Sequence, residues 1–349
     1  MREKISYYLK KVLNHLHIHQ KLDKKDIFIF STFRSGSTWL AEIIKSQPKI
    51  KFPVSPNKIE FLNYIDSYYK KIKPRPYYIN LSEEEKKVLK NYIIKASRGE
   101  IVYGRRYVDL FSSDHSFISN RSVFRLLRSC YLLDWYHREF DIYTLYLIRH
   151  PIAASLSRKR VWKKSSNPSY WSANNHYFLN SNYFKENYLD PDLERYLKAK
   201  LTNCSELEDF IITWCLENWP LIKKIQSQDE LEFIGLTYED LLMNSREVIS
   251  FLGEELELPD QEKMMEQLKI PSSTVRYSDK QTKSNFKNYS YNKEYLLKKW
   301  RKQVSSREEK EIFDILEHFG INIYKPDKFM PEEKYLMKNQ VYTYSDSLT

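Results

Sequence analysis

The apolar residues of this chain follow two periods, one typical of strands and one typical of helices. Residues 26–31 and 143–148 are nearly continuous apolar runs rich in β-branched and aromatic side chains, which favours strands buried on both faces of a parallel sheet. A segment with helical spacing follows each run, over residues 39–47 and from Pro151 onward, where proline suits the first turn of a helix. The chain therefore contains two predicted strand–loop–helix units.

The rest of the chain continues this alternation of predicted strands and helices. Two capping boxes, Ser82 with Glu85 and Ser305 with Glu308, mark helix starts, and Gly320 is typical of a helix end. We expect further strands at residues 101–103 and 231–237, and further helices at residues 82–98, 122–139, 210–219, 245–253 and 305–319. The alternation predicts an α/β fold with a central parallel sheet flanked by helices.

One domain is expected over residues 1–325, followed by a polar C-terminal tail over residues 326–349. Residues 1–22 carry apolar positions at helical spacing and predict an N-terminal amphipathic helix, which packs on the domain or contacts a membrane surface. Residues 163–190 are rich in Asn, Ser and aromatic side chains. Because aromatic rings stack on sugars and pack against lipids, this segment is a candidate lid over an acceptor. The alternative is a loop packed on the domain.

Composition narrows the classes of protein that this chain can represent. Its 349 residues are 42% hydrophobic, enough to bury a core, and 57 Lys and Arg against 46 Asp and Glu give a net charge of +11. This excess favours an anionic partner, although most lysine runs are solvated faces. Three cysteines without a C-x-x-C pair argue against a disulfide scaffold and a zinc ribbon. We expect a cytoplasmic protein, because the sequence shows neither an apolar run long enough for a membrane span nor a signal-peptide pattern.

Residues 33–39, between the first predicted strand and its helix, carry the most informative chemistry. Backbone N–H groups at such a helix start are unpaired and the helix dipole adds positive charge, which makes the loop a natural anion site. Gly36 allows the backbone to approach a ligand closely. The other side chains add a charge, hydroxyl groups and a flat face for a purine: Arg34, Ser35, Ser37, Thr38 and Trp39. Simple helix capping by the hydroxyl groups is the structural alternative.

A second basic position lies at the end of the other predicted strand. Arg149 follows that strand, and Ser157 lies about two helical turns further on, where it can face the same anion. Ligands of open α/β sheets bind at this edge, so the two segments together predict one anion site. The loop is not the P-loop G-x-x-x-x-G-K-[ST], because the first glycine is absent and Arg34 stands at a different place from the P-loop lysine.

Together these segments resemble the sulfotransferases that use 3′-phosphoadenosine 5′-phosphosulfate (PAPS). Residues 33–40 resemble the 5′-phosphosulfate-binding loop of that family, and residues 147–158, with Arg and Ser eight apart, resemble its 3′-phosphate-binding motif. Residues 238–241, followed by residues 248–252, resemble a third landmark after a late strand. Their order and separations agree over residues 26–320. The resemblance implies a P-loop-like α/β fold and transfer of a sulfuryl group to a hydroxyl or an amine.

The resemblance also implies roles for the residues of these motifs. Arg34 is expected to contact the 5′-phosphate and bridging oxygen of the donor, and Arg149 and Ser157 to hold the 3′-phosphate. The remaining donor-binding positions are Ser35, Gly36, Ser37 and Thr38 at the 5′-phosphate, Trp39 stacked on adenine and Tyr238 near it. The family's glycine-bearing C-terminal nucleotide loop is not evident, and residues 291–294, which include Lys293, are the candidate replacement.

An in-line mechanism is expected by analogy with phosphoryl transfer. Arg34 and the loop amides stabilise the leaving phosphate of PAPS, which becomes adenosine 3′,5′-bisphosphate, and no metal is required. The general base stays open between Glu60 and His115, whereas His150 beside Arg149 is expected to be structural. The expected acceptor is a small molecule, a carbohydrate or a lipid, and no nucleic-acid-binding module is recognisable. The alternatives are a P-loop-like nucleotide-dependent kinase and a basic anion-binding protein without catalysis.

Overall fold

A five-stranded parallel sheet forms the centre of the protein. The computed structural model describes residues 18–19, 24–51, 77–98, 118–165, 173–227, 231–273 and 289–336. The strands are β1 (Asp26–Ser31), β2 (Ile50–Lys51), β3 (Arg121–Leu126), β4 (Ile142–Ile148) and β5 (Ile234–Thr237). Their order is β2-β3-β1-β4-β5, and all neighbouring strands are parallel. Ile18–His19 and Ile118–Ser119 form a separate parallel pair.

Helices lie on both faces of this sheet. They are α1 (Ser37–Lys45), α2 (Glu83–Ser97), α3 (Leu133–Glu139), α4 (Pro151–Lys164), α5 (Asn175–Leu179), α6 (Asn182–Tyr188), α7 (Pro191–Asn203), α8 (Glu206–Ser227), α9 (Tyr238–Met243), α10 (Ser245–Glu255), α11 (Gln261–Leu268), α12 (Tyr289–Lys298) and α13 (Ser306–His318). Successive side chains of β1 enter two different buried clusters, Phe28 and Phe30 on one face and Ile27 and Ile29 on the other. The predicted fold class, a parallel sheet flanked by helices, is confirmed.

The topology brings the two predicted anion-binding segments to the same edge of the sheet. β1 pairs with β3 on one side and with β4 on the other, in parallel register. The loop before α1 follows the carboxyl end of β1, and α4 begins directly after β4 with Pro151 in its first turn. Both strand–loop–helix units are therefore as predicted, and they are neighbours in the sheet.

One predicted element is wrong in a way that matters for the site. Residues 122–139 are not a single amphipathic helix; they form the end of β3, a 3₁₀ turn over Cys130–Leu132, and α3. The spacing of Val123, Leu126 and Leu127 fits one helix face, but β3 lies between β2 and β1 and is covered on both faces. A short strand buried on both faces has no alternating pattern to distinguish it from a helix.

Other boundaries are close to the prediction. Ser82 and Ser305 both cap their helices in capping boxes, and Gly320 follows α13 with a φ of +63°. The late strand is shorter than residues 231–237 and begins at Ile234. Gly253 does not end its helix, since α10 continues to Glu255. The glycine instead leaves room for the side chain of Gln261, which packs against it.

Two predicted peripheral segments pack on the domain where the structure describes them. Phe178 and Phe184, in the candidate lid, are fully buried, and residues 166–172 of that segment lie outside the described residues. At the start of the predicted tail, the hydroxyl of Tyr335 donates to Asn322 Oδ1 at 2.6 Å. Residues 1–17, 101–103 and 337–349 also lie outside the described part of the chain. In that described part, no helix combines the length and the apolar character needed to cross a bilayer.

Candidate functional site

The loop between β1 and α1 has a backbone conformation that requires glycine. Gly36 precedes α1 with a φ of +95°, and Arg34 also has a positive φ, of 70°. A Cβ on Gly36 would lie 2.6 Å from Cδ2 of Tyr238, closer than two carbon atoms can approach. Gly36 therefore satisfies two constraints at once, the left-handed backbone and the contact with the Tyr238 ring. This turn leads directly into α1, whose first amides lack intrahelical partners and are therefore available to an anion.

Arg34 and Ser157 are in direct contact. The Arg34 Nε donates a hydrogen bond to Ser157 Oγ at 3.0 Å, and Arg149 Nη1 donates to the carbonyl oxygen of Arg34 at 3.2 Å. Arg149 is only 9% exposed, and its Nε has no hydrogen-bond partner within the described residues. A buried guanidinium with an unsatisfied donor is costly unless a ligand completes its hydrogen bonds. The structure thus brings the loop and the start of α4 into one cluster.

Tyr238 and Trp39, expected near adenine, lie beside this cluster. The guanidinium carbon of Arg149 is 4.2 Å from the centroid of the Tyr238 ring, a cation–π distance. The rings of Tyr238 and Trp39 have centroids 5.7 Å apart. Trp39 is only 3% exposed, and its indole N–H donates to the carbonyl oxygen of Ile270 at 3.2 Å. In this conformation Tyr238 lies at the arginine cluster, while Trp39 is packed in the core beside it.

The hydroxyl groups of the loop have different environments. Ser35 is fully buried, and its Oγ lies 3.0 Å from Thr32 Oγ1, so this hydroxyl points into the domain. Thr38 Oγ1 accepts a hydrogen bond from Nη1 of Arg125, on β3. Ser37 is buried at the first position of α1. Ser37 is thus suited to contribute its backbone N–H group, whereas the N–H of Ser35 donates to the carbonyl oxygen of Thr32 at 3.4 Å. Thr38 links the loop to a further arginine.

Positive charge is concentrated around Arg34. Burial, together with the like charges of Arg149, Arg160 and Arg125, lowers the pKa of Arg34 to about 10, and it therefore stays charged at neutral pH. Within the described residues, no carboxylate forms an ion pair with Arg34 or Arg149. Such a cluster of like charges is compensated best by a bound anion.

Sequence patterns did not identify Arg125 and Arg160 as members of this arginine cluster. Arg125 falls within the helix predicted over residues 122–139, whereas it lies near the carboxyl end of β3, at the same edge as the loop. The signal that could have found it is the β-branched and aromatic pair Val123 and Phe124, which favours a strand. Arg160 lies three residues after Ser157 on α4, a spacing that places both on one side of a helix.

The remaining predicted residues either lie outside the described residues or make contacts of their own. Glu60 and His115, the two candidate bases, lie outside the described residues. Lys293 Nζ donates to Ser245 Oγ at 3.0 Å, at the start of α10. His150 stacks on Trp300 with centroids 4.5 Å apart, and burial lowers its pKa to about 3. His150 is therefore neutral and packed at neutral pH, which suits a structural role.

A buried carboxyl group lies behind Arg149. Glu239 Oε1 accepts from the backbone N–H of His150 at 3.0 Å, and Oε2 accepts from the hydroxyl of Tyr324 at 2.9 Å. Burial raises the pKa of Glu239, and the charge of Arg149 opposes that rise. Glu239 is thus satisfied by neutral donors. In the described part of the chain, no group of three or more His, Cys, Asp or Glu side chains could hold a metal ion.

Comparison with known proteins finds similarity only at the level of solved structures. No protein-family model and no curated protein matches the chain. A sulfotransferase domain from the olefin synthase of Synechococcus PCC 7002 is 15% identical with a TM-score of 0.44, covering 88% of this chain and 98% of that domain. A sulfotransferase domain from the curacin biosynthetic pathway is 14% identical with a TM-score of 0.38, covering 71% of this chain and 78% of that domain. The mouse sulfotransferase SULT7A1, complexed with PAP, is 14% identical with a TM-score of 0.36, covering 77% of this chain and 71% of that one. All three of these structures are sulfotransferases.

Proposed function

We propose that this protein is a sulfotransferase that uses PAPS as its donor and transfers the sulfuryl group to a hydroxyl or amine. The observation that supports this most directly is the 3.0 Å contact between Arg34 Nε and Ser157 Oγ. It places the loop that resembles a 5′-phosphosulfate site beside the segment that resembles a 3′-phosphate site. A single nucleotide with phosphate groups at both ends fits such a paired site.

The charges of the site match a donor of this kind. A phosphate monoester carries about −1.5 to −2 at neutral pH, and a phosphosulfate group adds further negative charge. Arg125, Arg149 and Arg160 all act on Arg34 through their positive charge. An anion with groups at both ends would satisfy the unpartnered Nε of Arg149 and relieve the repulsion among these arginines.

The residues present would act on the leaving group. The acceptor oxygen bonds to sulfur while the bond between sulfur and the bridging oxygen breaks, and the electron pair stays on the 5′-phosphate of adenosine 3′,5′-bisphosphate. Arg34 and the amides at the start of α1 stabilise the negative charge that develops on the bridging oxygen. Arg149 and Ser157 hold the 3′-phosphate and so orient the reacting end. The acceptor proton passes to a general base, for which Glu60 and His115 are the candidates.

Sulfuryl transfer from labelled PAPS to a panel of acceptors tests this function. The panel contains simple alcohols, amines, sugars and lipids, and the readouts are labelled acceptor and released adenosine 3′,5′-bisphosphate. We expect transfer to at least one acceptor class, and loss of transfer in Arg34→Ala and Arg149→Ala. Arg138→Ala, an exposed arginine at the opposite edge of the sheet, is the matched control and keeps full activity. A folded protein that neither consumes PAPS nor binds adenosine 3′,5′-bisphosphate contradicts the proposal.

A further inference from the structure

A buried ion pair lies behind the two segments of the proposed donor site. Arg158 Nη1 donates to Glu217 Oε1 at 2.7 Å, and the two residues are 3% and 4% exposed. Tyr77 completes the group, because its hydroxyl donates to Glu217 Oε1 and accepts from Arg158 Nη2 at 3.0 Å. The three side chains come from different parts of the chain: α4, α8 and the segment before α2.

This ion pair touches both segments through residues next to the proposed ligands. Arg158 directly follows Ser157 on α4. Its guanidinium carbon also lies 4.9 Å from the centroid of the Phe33 ring, and Phe33 directly precedes Arg34. The position of one guanidinium group is therefore linked to the position of the loop and to the position of the helix that carries Ser157.

Helix α8 makes a second contact with the same loop. Asn218, adjacent to Glu217, donates through Nδ2 to Thr32 Oγ1 at 3.3 Å. Its Oδ1 accepts from the hydroxyl of Tyr146 on β4 at 2.8 Å. Thr32 Oγ1 is in turn within 3.0 Å of Ser35 Oγ. Two consecutive residues of α8 thus hold the start of the loop and the first turns of α4.

Energetic considerations favour a positioning role over a stabilising one. A buried ion pair loses hydration that its own attraction only partly restores, so a pair of apolar side chains of similar size often gives equal or greater stability. Charged groups with several hydrogen bonds do, however, define one geometry sharply. We infer that Glu217 and Asn218 are positioning residues that set the separation between the 33–38 loop and α4. Glu217 acts through Arg158. This inference rests on the proposed function, because that separation is the spacing of the two proposed phosphate subsites.

Hydrogen exchange on the ligand-free protein and calorimetric binding of adenosine 3′,5′-bisphosphate test the inference together. Glu217→Gln removes the charge that holds Arg158, and it lowers stability because a buried cation loses its counter-charge. The triple variant, Arg158→Met with Glu217→Leu and Tyr77→Phe, avoids that problem because no polar group of the three is left buried without a partner.

In the triple variant we expect wild-type thermal stability and binding weaker by at least about tenfold. We also expect exchange faster by at least about tenfold at the amides of Ser35, Trp39 and Leu40, which are hydrogen-bonded within the loop and the first turn of α1. Glu208→Gln, near the start of the same helix, is the matched control and changes neither readout.

The outcomes separate this inference from the proposed function. Unchanged loop exchange in the triple variant overturns the positioning role, whether or not the wild type binds the bisphosphate. Faster exchange throughout the protein also overturns it, because that result is a general loss of stability. Faster loop exchange with wild-type affinity shows that the ion pair orders the loop without setting the donor site, and contradicts the inference. Absence of binding in the wild type contradicts the proposed function, while the loop exchange still decides whether the ion pair orders the loop.

Discussion

At the scale of single residues, the site depends on a turn that side chains rarely tolerate. Arg34 and Gly36 both have positive φ angles, and only one of them is glycine. A non-glycine residue in this region costs free energy that the surrounding structure must offset. Here the offsetting contacts are those of the Arg34 side chain with Ser157 and of its carbonyl oxygen with Arg149. The strained residue is thus the one that joins the two segments.

Gly36→Ala is expected to abolish binding of adenosine 3′,5′-bisphosphate. The added Cβ would overlap Tyr238 at a backbone angle that alanine disfavours, so the loop and the ring must both move. We also expect a loss of about 1–3 kcal/mol in the free energy of unfolding, measured with urea. Gly320→Ala is the control, because Gly320 also has a positive φ but a Cβ there meets only the flexible end of Lys223. It should lose stability and keep affinity; wild-type affinity in Gly36→Ala would show that the turn is not needed.

The pH dependence of binding should report the environment of Arg34. Burial and the neighbouring arginines lower its pKa to about 10, so the ligand-free protein loses this charge as the pH rises through that value. A bound anion favours the charged form and raises the pKa, so affinity must fall as the pH rises above about 10. Calorimetry of adenosine 3′,5′-bisphosphate between pH 8 and about 11 measures this. Arg34→Met should bind more weakly, and its affinity should not fall further as the pH rises. If the affinity of both proteins falls equally, the pH dependence belongs to groups other than Arg34.

At the scale of elements, the sequence predicted the two strand–loop–helix units that carry the site, but it did not predict every strand and helix that packs beside them. β1 and β4 were predictable because their apolar runs are long and end at polar or proline-containing turns. β3 was not, because six residues buried on both faces give no period, and Arg125 was missed with it. Glu217 and Asn218 act through contacts that depend on where α8 packs, and no local pattern reveals that. The roles assigned to the site residues stay predictions until a ligand is bound.

Arg121 is expected to stabilise the sheet without affecting the site. It lies at the amino end of β3, 2% exposed, and its side chain donates to the carbonyl oxygens of Lys25 and Leu256. Leu256 is the C-cap residue of α10, at the helix end where a positive charge is favourable. Arg121→Met should lower the free energy of unfolding by about 2–4 kcal/mol in urea, because a buried and a partly buried carbonyl group lose their donor. Affinity for adenosine 3′,5′-bisphosphate should stay unchanged, and a parallel loss of affinity would contradict the separation of the two edges.

At the scale of the whole molecule, the two edges of the sheet differ in how their charges are balanced. At the amino edge, a cleft is lined by residues of both signs, and Lys25 pairs with Asp141 and Lys224 with Asp134. At the carboxyl edge, Arg34 and Arg149 have no such carboxylate partner within the described residues. The net charge of +11 alone does not predict where a ligand binds, whereas this difference between the edges does. An anion is expected at the carboxyl edge.

Calorimetric titration with adenosine 3′,5′-bisphosphate tests the central claim most directly, namely that one nucleotide is held at both ends by Arg34 and Arg149. We expect one binding site per chain and weaker binding of nucleotides that lack either phosphate. We also expect a loss of affinity of at least about tenfold, equivalent to about 1.4 kcal/mol, in Arg34→Ala and in Arg149→Ala. Arg138→Ala should bind as the wild type does. Equal affinity in the wild type and in both site variants, with all proteins folded, would contradict the proposed roles of Arg34 and Arg149.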